Sequence, residues 1–112
     1  MRRGEIWWAA LSRPEGSEPG YRRPVLILQT DEFNESPIQT VVAVTITSTL
    51  RLAQAPGNVS CRPRDSGLAK PSVINVSQVA TIDKRRLLER VGVLPGRVLA
   101  EVEAGVRLVL GL

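Results

Sequence analysis

The sequence predicts a mainly-β (α+β) fold over residues 1–112: a small antiparallel barrel, or coiled half-barrel, closed by one amphipathic C-terminal helix. Short apolar or β-branched runs recur along the chain, turn residues separate them, and a helical pattern appears only near the end. With 112 residues, of which 43% are hydrophobic, the chain can build one modest core. We therefore expect a single domain.

The predicted strands are marked by their composition. Glu5–Leu11 is aromatic and aliphatic, and Thr40–Thr47 is strongly β-branched, which is typical of a central strand. Pro24 fixes φ and lacks a donor for the sheet, so it marks the entry of the second strand. That strand is predicted over residues 23–29, and further strands or extended segments are predicted at 58–62, 72–75, 78–82 and 91–94.

The segments between these strands carry turn and helix signals. Residues 12–20 contain two prolines and two glycines and form a predicted loop, as do residues 66–71, while 30–37 is a predicted turn or short helical turn. Asp83 is suited to cap a short helix over residues 84–88. Pro95 is placed to open the C-terminal helix, whose predicted apolar face contains Leu99, Val102, Val106 and Val109.

Composition excludes several classes of site. The chain has no histidine, which removes the Ser-His-Asp triad and most zinc hydrolase sites, so neither a metal nor a cofactor is expected. Cys61 is the single cysteine, which excludes an internal disulfide and a cysteine cluster. The net charge of +4 favours an anionic partner. Since no apolar run approaches the length of a membrane span, we expect a soluble, cytoplasmic protein without a membrane partner.

Two arginines at the mouth of the second strand are the strongest candidates for chemistry. Arg22 and Arg23 precede Pro24, and a guanidinium held by a sheet suits phosphate binding. The acidic cluster near residues 31–35 is expected to be a solvated turn. Trp7 and Trp8 point to opposite faces of a strand, so either one is exposed or both pack.

Short motifs follow one another in a fixed order along nearly the whole chain. They are RGEIW at 3–7, GSE at 16–18, RPVLI at 23–27, VTITS at 44–48, GL at 67–68, SVI at 72–74, QVATIDKRRL at 78–87 and VGVL at 91–94. In this order and spacing they resemble the MazF/PemK-type toxins, ribosome-independent endoribonucleases of bacterial toxin–antitoxin modules. The chain departs from that pattern at Thr30, where many members have asparagine, and at Ala80, where many have an arginine that would contact phosphate.

The resemblance implies an SH3-like, PemK/CcdB-like barrel that forms a homodimer and cuts single-stranded mRNA at short motifs without a metal. The implied products are a 2′,3′-cyclic phosphate and a 5′-hydroxyl, and the implied inhibitor is a cognate antitoxin with an acidic C-terminal tail. By the same resemblance Arg23 and Thr47 are the catalytic pair, and the RNA-binding residues are Ser17, Glu18, Arg22, Ser48 and Gln78.

Elementary chemistry is consistent with these roles. The 2′-hydroxyl of RNA supplies an internal nucleophile, so the protein needs only to align the strand and stabilise charge on the phosphate. Because a guanidinium is protonated near neutral pH, Arg23 suits a charge stabiliser and a proton donor to the leaving oxygen rather than the general base, which stays unassigned. Two alternatives remain open: a gyrase-poison-like, protein-binding toxin of the same fold, and a non-catalytic nucleic-acid-binding barrel whose binding depends steeply on salt.

Overall fold

The fold is one antiparallel sheet that curls into a half-barrel, as the sequence predicts. The computed structural model describes residues 1–11 and 21–112. The six strands are β1 (Glu5–Leu11), β2 (Tyr21–Ile27), β3 (Thr40–Thr47), β4 (Val59–Cys61), β5 (Ser72–Asp83) and β6 (Leu87–Val93). They lie in the order β4–β5–β3–β2–β1–β6, so β3 is central, as its β-branched composition predicts.

A bulge interrupts the pairing of β3 with β5. The register shifts between Val44, which pairs with Val79, and Thr45, which pairs with Asn75. Residues 76–78 are therefore extra in β5 and bend it without ending it. The sequence predicted two strands here, at 72–75 and 78–82, and that division is wrong: β5 is continuous, and Val76 and Ser77, which separate the predicted strands, lie in the bulge.

The core is divided into two clusters that lie on opposite faces of the sheet. Ile6, Leu26 and Val44 belong to the first, and Val25 and Ala43 belong to the second. The two tryptophans follow the same alternation, because Trp8 packs against the first cluster and Trp7 against the second. Of the two expectations for this pair, the one in which both side chains pack is correct.

The described residues include three α-helices: α1 (Asp31–Asn34), α2 (Pro63–Ser66) and α3 (Gly96–Leu110). Helix α3 follows Pro95 and ends at Gly111, whose φ of 71° lies in the left-handed region. Val98 and Val102 of α3 are buried in the first cluster. Within the described part of the chain, no helix is both long enough and apolar enough to cross a membrane.

Several element boundaries differ from the predicted ones. The predicted apolar face of α3 is partly wrong, since Val109 is 41% exposed and Val98 is buried instead. Asp83 does cap the next segment by accepting a hydrogen bond from Arg85 N at 2.9 Å. That segment is only one 3₁₀ turn (Lys84–Arg86), after which β6 begins. Strand β2 begins two residues before the predicted start and ends two before the predicted end, and neither α2 nor a 3₁₀ helix (Leu50–Gln54) was predicted.

Candidate active site

The predicted catalytic pair lies where β2 begins and β3 ends. The two strands are antiparallel, with Val25 opposite Thr45. Continuing that register by two residues places Arg23 opposite Thr47, and alternation puts both on the sheet face of Val25. Both side chains are partly exposed. The sheet thus brings a cation and a hydroxyl together, although 24 positions separate them in the chain.

The Thr47 hydroxyl is oriented by the backbone. Its Oγ1 accepts a hydrogen bond from Thr49 N at 3.2 Å, just beyond the end of β3. A hydroxyl that accepts in this way still has its own proton to donate. The local turn therefore holds Oγ1 in place and leaves Thr47 able to donate to an anionic oxygen.

Gln78 lies farther along the same face. It occupies the β5 bulge, where its Oε1 accepts a hydrogen bond from Thr45 Oγ1 at 2.6 Å. Thr45 is buried and lies two residues before Thr47, on the same face of β3. The bulge thus brings Gln78 to the row of side chains that contains the candidate pair, and Thr45 fixes its amide.

A cavity of about 340 Å³ opens at this end of the sheet. Arg22, Arg23, Thr47 and Ser48 all line it, so four of the predicted site residues meet there. The remaining wall comes from strand residues on the sheet face that carries the first core cluster, and from the segment after α2. These residues are Trp8, Pro24, Ile46, Leu68, Ala69, Lys70 and Ser72. Of the other predicted residues, Gln78 is not among those that line the cavity, and Ser17 and Glu18 lie outside the described residues.

The side chains of Arg22 and Arg23 lie on opposite faces of the sheet. Arg22 pairs with Ala10 and Arg23 with Ala9, so their side chains alternate. The Arg22 guanidinium lies over the Trp8 ring, 5.1 Å from its centroid, which is the geometry of a cation–π contact. Its Nη2 also lies 3.4 Å from Glu89 Oε2. Two neighbours therefore position Arg22 on the Trp8 side.

Sequence reasoning missed Trp8 and Lys70 as residues of this site. Trp8 was considered only as a core or exposed side chain, and Lys70 only as part of a loop. The loop itself begins later than predicted, because residues 63–66 form α2 and Gly67 ends it with a φ of 82°. A lysine directly before Pro71, in a loop of a chain with few lysines, was the available signal.

The buried carboxylates elsewhere in the chain have structural partners. Burial alone would raise the pKa of Glu5, but hydrogen bonds from Trp7, the Arg2 backbone and Arg90 outweigh it, so the pKa is lowered. Burial likewise opposes the lowered pKa of Asp65, which Arg97 and Arg62 hold ionised. These acids anchor the fold, and neither of them lines the cavity.

Asp31 and Cys61 are two further candidates for chemistry, and their surroundings favour a structural role for both. Asp31 Oδ1 accepts hydrogen bonds from Arg3 N and Asn34 Nδ2, which lower its pKa and tie α1 to the N-terminus. Burial, together with Asp65, raises the pKa of the Cys61 thiol, so it is a poor nucleophile. In the ranges 1–11 and 21–112, no group of three or more acidic, cysteine or histidine residues is placed to hold a metal ion.

Comparison with known proteins connects this arrangement to a family. The model of the PemK-like, MazF-like toxins of type II toxin–antitoxin systems matches residues 2–110. Endoribonuclease MazF6 of Mycobacterium tuberculosis is 46% identical over 112 residues, which cover 100% of this chain and 98% of the relative.

Solved structures agree with this match. MazF of Deinococcus radiodurans superposes with a TM-score of 0.81 at 27% identity, over 100% of this chain and 97% of that one. An endoribonuclease in complex with its cognate antitoxin, from a mycobacterial species, superposes with a TM-score of 0.79 at 25% identity, covering 100% and 96%. The predicted family and fold class are confirmed, and the chain belongs to the PemK-like, MazF-like toxin family of type II toxin–antitoxin systems.

Proposed function

We propose that this toxin is an endoribonuclease that cleaves single-stranded mRNA at a short motif without a metal ion, with Arg23 and Thr47 as its catalytic residues. The enzyme class predicted from the sequence is confirmed by the family and by relatives that are themselves named endoribonucleases. The observation that supports the residue assignment is the β2–β3 register, which brings the guanidinium and the hydroxyl to one face beside a cationic cavity.

The proposed step is an internal displacement at phosphorus. The 2′-oxygen attacks the adjacent phosphorus and the bond to the 5′-oxygen breaks, which yields a 2′,3′-cyclic phosphate and a 5′-hydroxyl. The 2′-hydroxyl proton passes to a base that we leave unassigned, and Arg23 donates a proton to the leaving oxygen. Arg23 and Thr47 donate hydrogen bonds to the phosphate oxygens as charge grows on them, which is where preorganised donors lower a barrier most.

The proposed partners follow from the family. An antitoxin partner is supported by related toxins whose structures contain one. We further propose that the chain acts in the cytoplasm as a homodimer of single-domain subunits, and that an acidic C-terminal antitoxin tail competes with RNA for the cationic groove. The net charge of +4 and the arginines of the cavity favour such a tail.

The test is cleavage of a mixed single-stranded RNA pool in excess EDTA, with mapping of the new 5′ ends. We expect cleavage to persist under chelation and to leave DNA intact. The Arg23→Ala and Arg23→Lys variants should both lose about 10²–10³ in turnover, since an ammonium does not reproduce the planar fork of donors. Arg85→Lys, at an exposed arginine bonded to Asp83 outside the cavity, is the matched control and should retain wild-type turnover.

Two outcomes would contradict the proposal. Activity that disappears with EDTA and returns with magnesium would exclude the metal-independent mechanism. Near-normal turnover of Arg23→Lys would show that positive charge alone suffices at this position, and Arg23 would then be a phosphate-binding residue without the proposed proton-donor role.

A further inference from the structure

We infer that the cavity on the Trp8 side of the sheet holds one unpaired base of the RNA, stacked on the Arg22 guanidinium, while the Arg23 side holds the phosphate. This inference rests on the proposed endoribonuclease function. It assigns to Arg22 a contact with a base face, and it makes Trp8 a positioning residue that supports Arg22.

The cavity has the chemistry of a base site. Its walls are largely apolar and come from Trp8, Pro24, Ile46 and Leu68. Ser48 and Lys70 add a hydroxyl and an ammonium group to the lining. Small-molecule sites in proteins combine apolar walls with a few polar groups in this way, and a volume of about 340 Å³ exceeds what one base needs.

Arg22 is positioned as a stacking surface. Its guanidinium lies over Trp8 on one side and reaches Glu89 at its edge, while its side chain remains 56% exposed. A planar cation that is supported on one face has its other face available for a base. Single-stranded RNA is recognised mainly through bases that stack on aromatic rings or on arginine planes.

The two neighbouring arginines contact different parts of the nucleotide: Arg22 the base and Arg23 the phosphate. Alternation along β2 directs Arg22 to the Trp8 face and Arg23 to the Thr47 face, and the cavity is in contact with both. A strand of RNA that crosses the start of β2 meets a stacking surface and a phosphate-binding cation at two consecutive residues, Arg22 and Arg23. The base next to the cleaved bond is therefore read at Arg22.

The test combines a change in the protein with a change in the RNA. Arg22→Lys keeps the charge and removes the plane, and the exposed position of Arg22 leaves both core clusters intact. Wild type, Arg22→Lys and the control Arg85→Lys are each given a cleavable oligonucleotide and a series in which one nucleotide at a time lacks its base. Thermal melting verifies that all three proteins fold.

We expect one abasic position to lower kcat/KM of the wild type by about 5- to 150-fold, which is the range that stacking of one base confers. Arg22→Lys should lose a similar factor on the intact oligonucleotide and nothing more when that base is removed. Arg85→Lys should behave as the wild type. A Trp8→Leu protein should show the same insensitivity as Arg22→Lys, because the support of the plane is gone; since Trp8 packs against the first core cluster, thermal melting checks the fold of this variant too.

The results that would overturn this inference differ from those that would overturn the proposed endoribonuclease function. If Arg22→Lys shows the same abasic penalties as the wild type at every position, no base stacks on Arg22 and the inference is overturned while the endoribonuclease stands. If Arg22→Lys instead weakens only inhibition by the cognate antitoxin, the cavity belongs to a protein partner. If the wild type cuts none of the oligonucleotides, the proposed function itself fails.

Discussion

Glu5 is one carboxylate that joins three parts of the chain. Its side chain is buried and accepts hydrogen bonds from Arg2 N at 2.7 Å, Trp7 Nε1 at 3.1 Å and Arg90 Nη1 at 3.0 Å. A buried charge with several donors is stable, whereas one that loses a partner is costly. Glu5 therefore anchors the N-terminus and β1 to the edge strand β6.

The lowered pKa of Glu5 makes this anchor depend on pH. Because the folded pKa lies below the ordinary value of 4.5, the unfolded chain binds more protons and stability falls as the pH drops through the folded pKa. Above 4.5 the contribution is fully present. We expect Glu5→Gln to lower the free energy of unfolding by about 1–3 kcal/mol near neutral pH. Urea unfolding at several pH values measures it.

The same unfolding measurements at several pH values also test whether the ionisation of Glu5 is the cause. The difference between wild type and Glu5→Gln should shrink as the pH falls from 4.5 through the folded pKa, because the wild-type side chain then becomes neutral too. A difference that stays constant as the pH is lowered below 4.5 until the protein unfolds would mean that the effect is one of packing, and that ionisation of Glu5 contributes nothing to stability.

Single residues also show what the sequence could reveal about the site. Arg23 and Thr47 were proposed through a family resemblance, and the β2–β3 register, continued by two residues, places these distant positions side by side. Arg22 was assigned to the RNA groove, but its contact with Trp8 depends on which of two adjacent arginines faces which cluster. Strand alternation gives that answer only once the pairing of β1 with β2 is known.

At the scale of elements, α3 is seated against the segment before β4 by two glycines. A Cβ on Gly105 would lie 2.1 Å from Gly57 O, and the reverse contact, from a Cβ on Gly57 to Gly105 Cα, would be 3.1 Å. The backbones of helix and turn therefore touch directly. No side chain fits between them without displacing the helix from the sheet.

We expect Gly105→Ala to destabilise the protein, although alanine ordinarily favours a helix over glycine by about 1 kcal/mol. Overpacking typically costs about 1–3 kcal/mol, so a net loss of up to about 2 kcal/mol should remain after that gain. Gly96→Ala is the matched control, because it lies in the same helix with nothing within 4 Å of its Cβ position. It should stabilise by about 0.4–1 kcal/mol.

The denaturant midpoints of the two variants give the comparison. If Gly105→Ala were as stable as Gly96→Ala, α3 would have to shift easily, and the close helix–turn contact would not determine its position. The slopes of the transitions should remain unchanged, since both variants expose the same surface on unfolding.

Element boundaries could be predicted where one local signal dominates. Asp83 as a cap, Pro95 as a helix start and the β-branched run of β3 are such signals, and all three are observed. The continuity of β5 could not be predicted, because polar residues inside a strand look like a break unless the partner strand is known. Helix α2 is a single turn, too short for periodicity to detect.

At the scale of the whole molecule, charge connects the substrate and the inhibitor. The chain carries a net charge of +4, and Arg22, Arg23 and Lys70 all line one cavity. Both RNA and an acidic peptide are attracted by such a surface. This shared attraction is the basis of the proposed competition between RNA and antitoxin for the cavity.

We expect the cognate antitoxin and RNA to compete, and the affinity for each to fall as salt is raised. The measurement is RNA binding by a Thr47→Ala protein, whose cleavage is lowered by the loss of the hydroxyl, titrated with antitoxin at two ionic strengths. Simultaneous and unweakened binding of both ligands would refute competition, and inhibition would then act through a change of conformation.

The position of β6 at the end of the sheet has a consequence for how copies of this chain meet one another. Strand β6 ends the strand order, and an end strand with free backbone groups invites aggregation by strand addition. Here the turn after α2 lies against it: a Cβ on Gly67 would be 2.6 Å from Val91 O, and one on Gly92 would be 2.6 Å from Ser66 O. Because Gly67 and Gly92 lack side chains, the turn lies directly against β6 near Val91 and Gly92, where it leaves less room for an added strand.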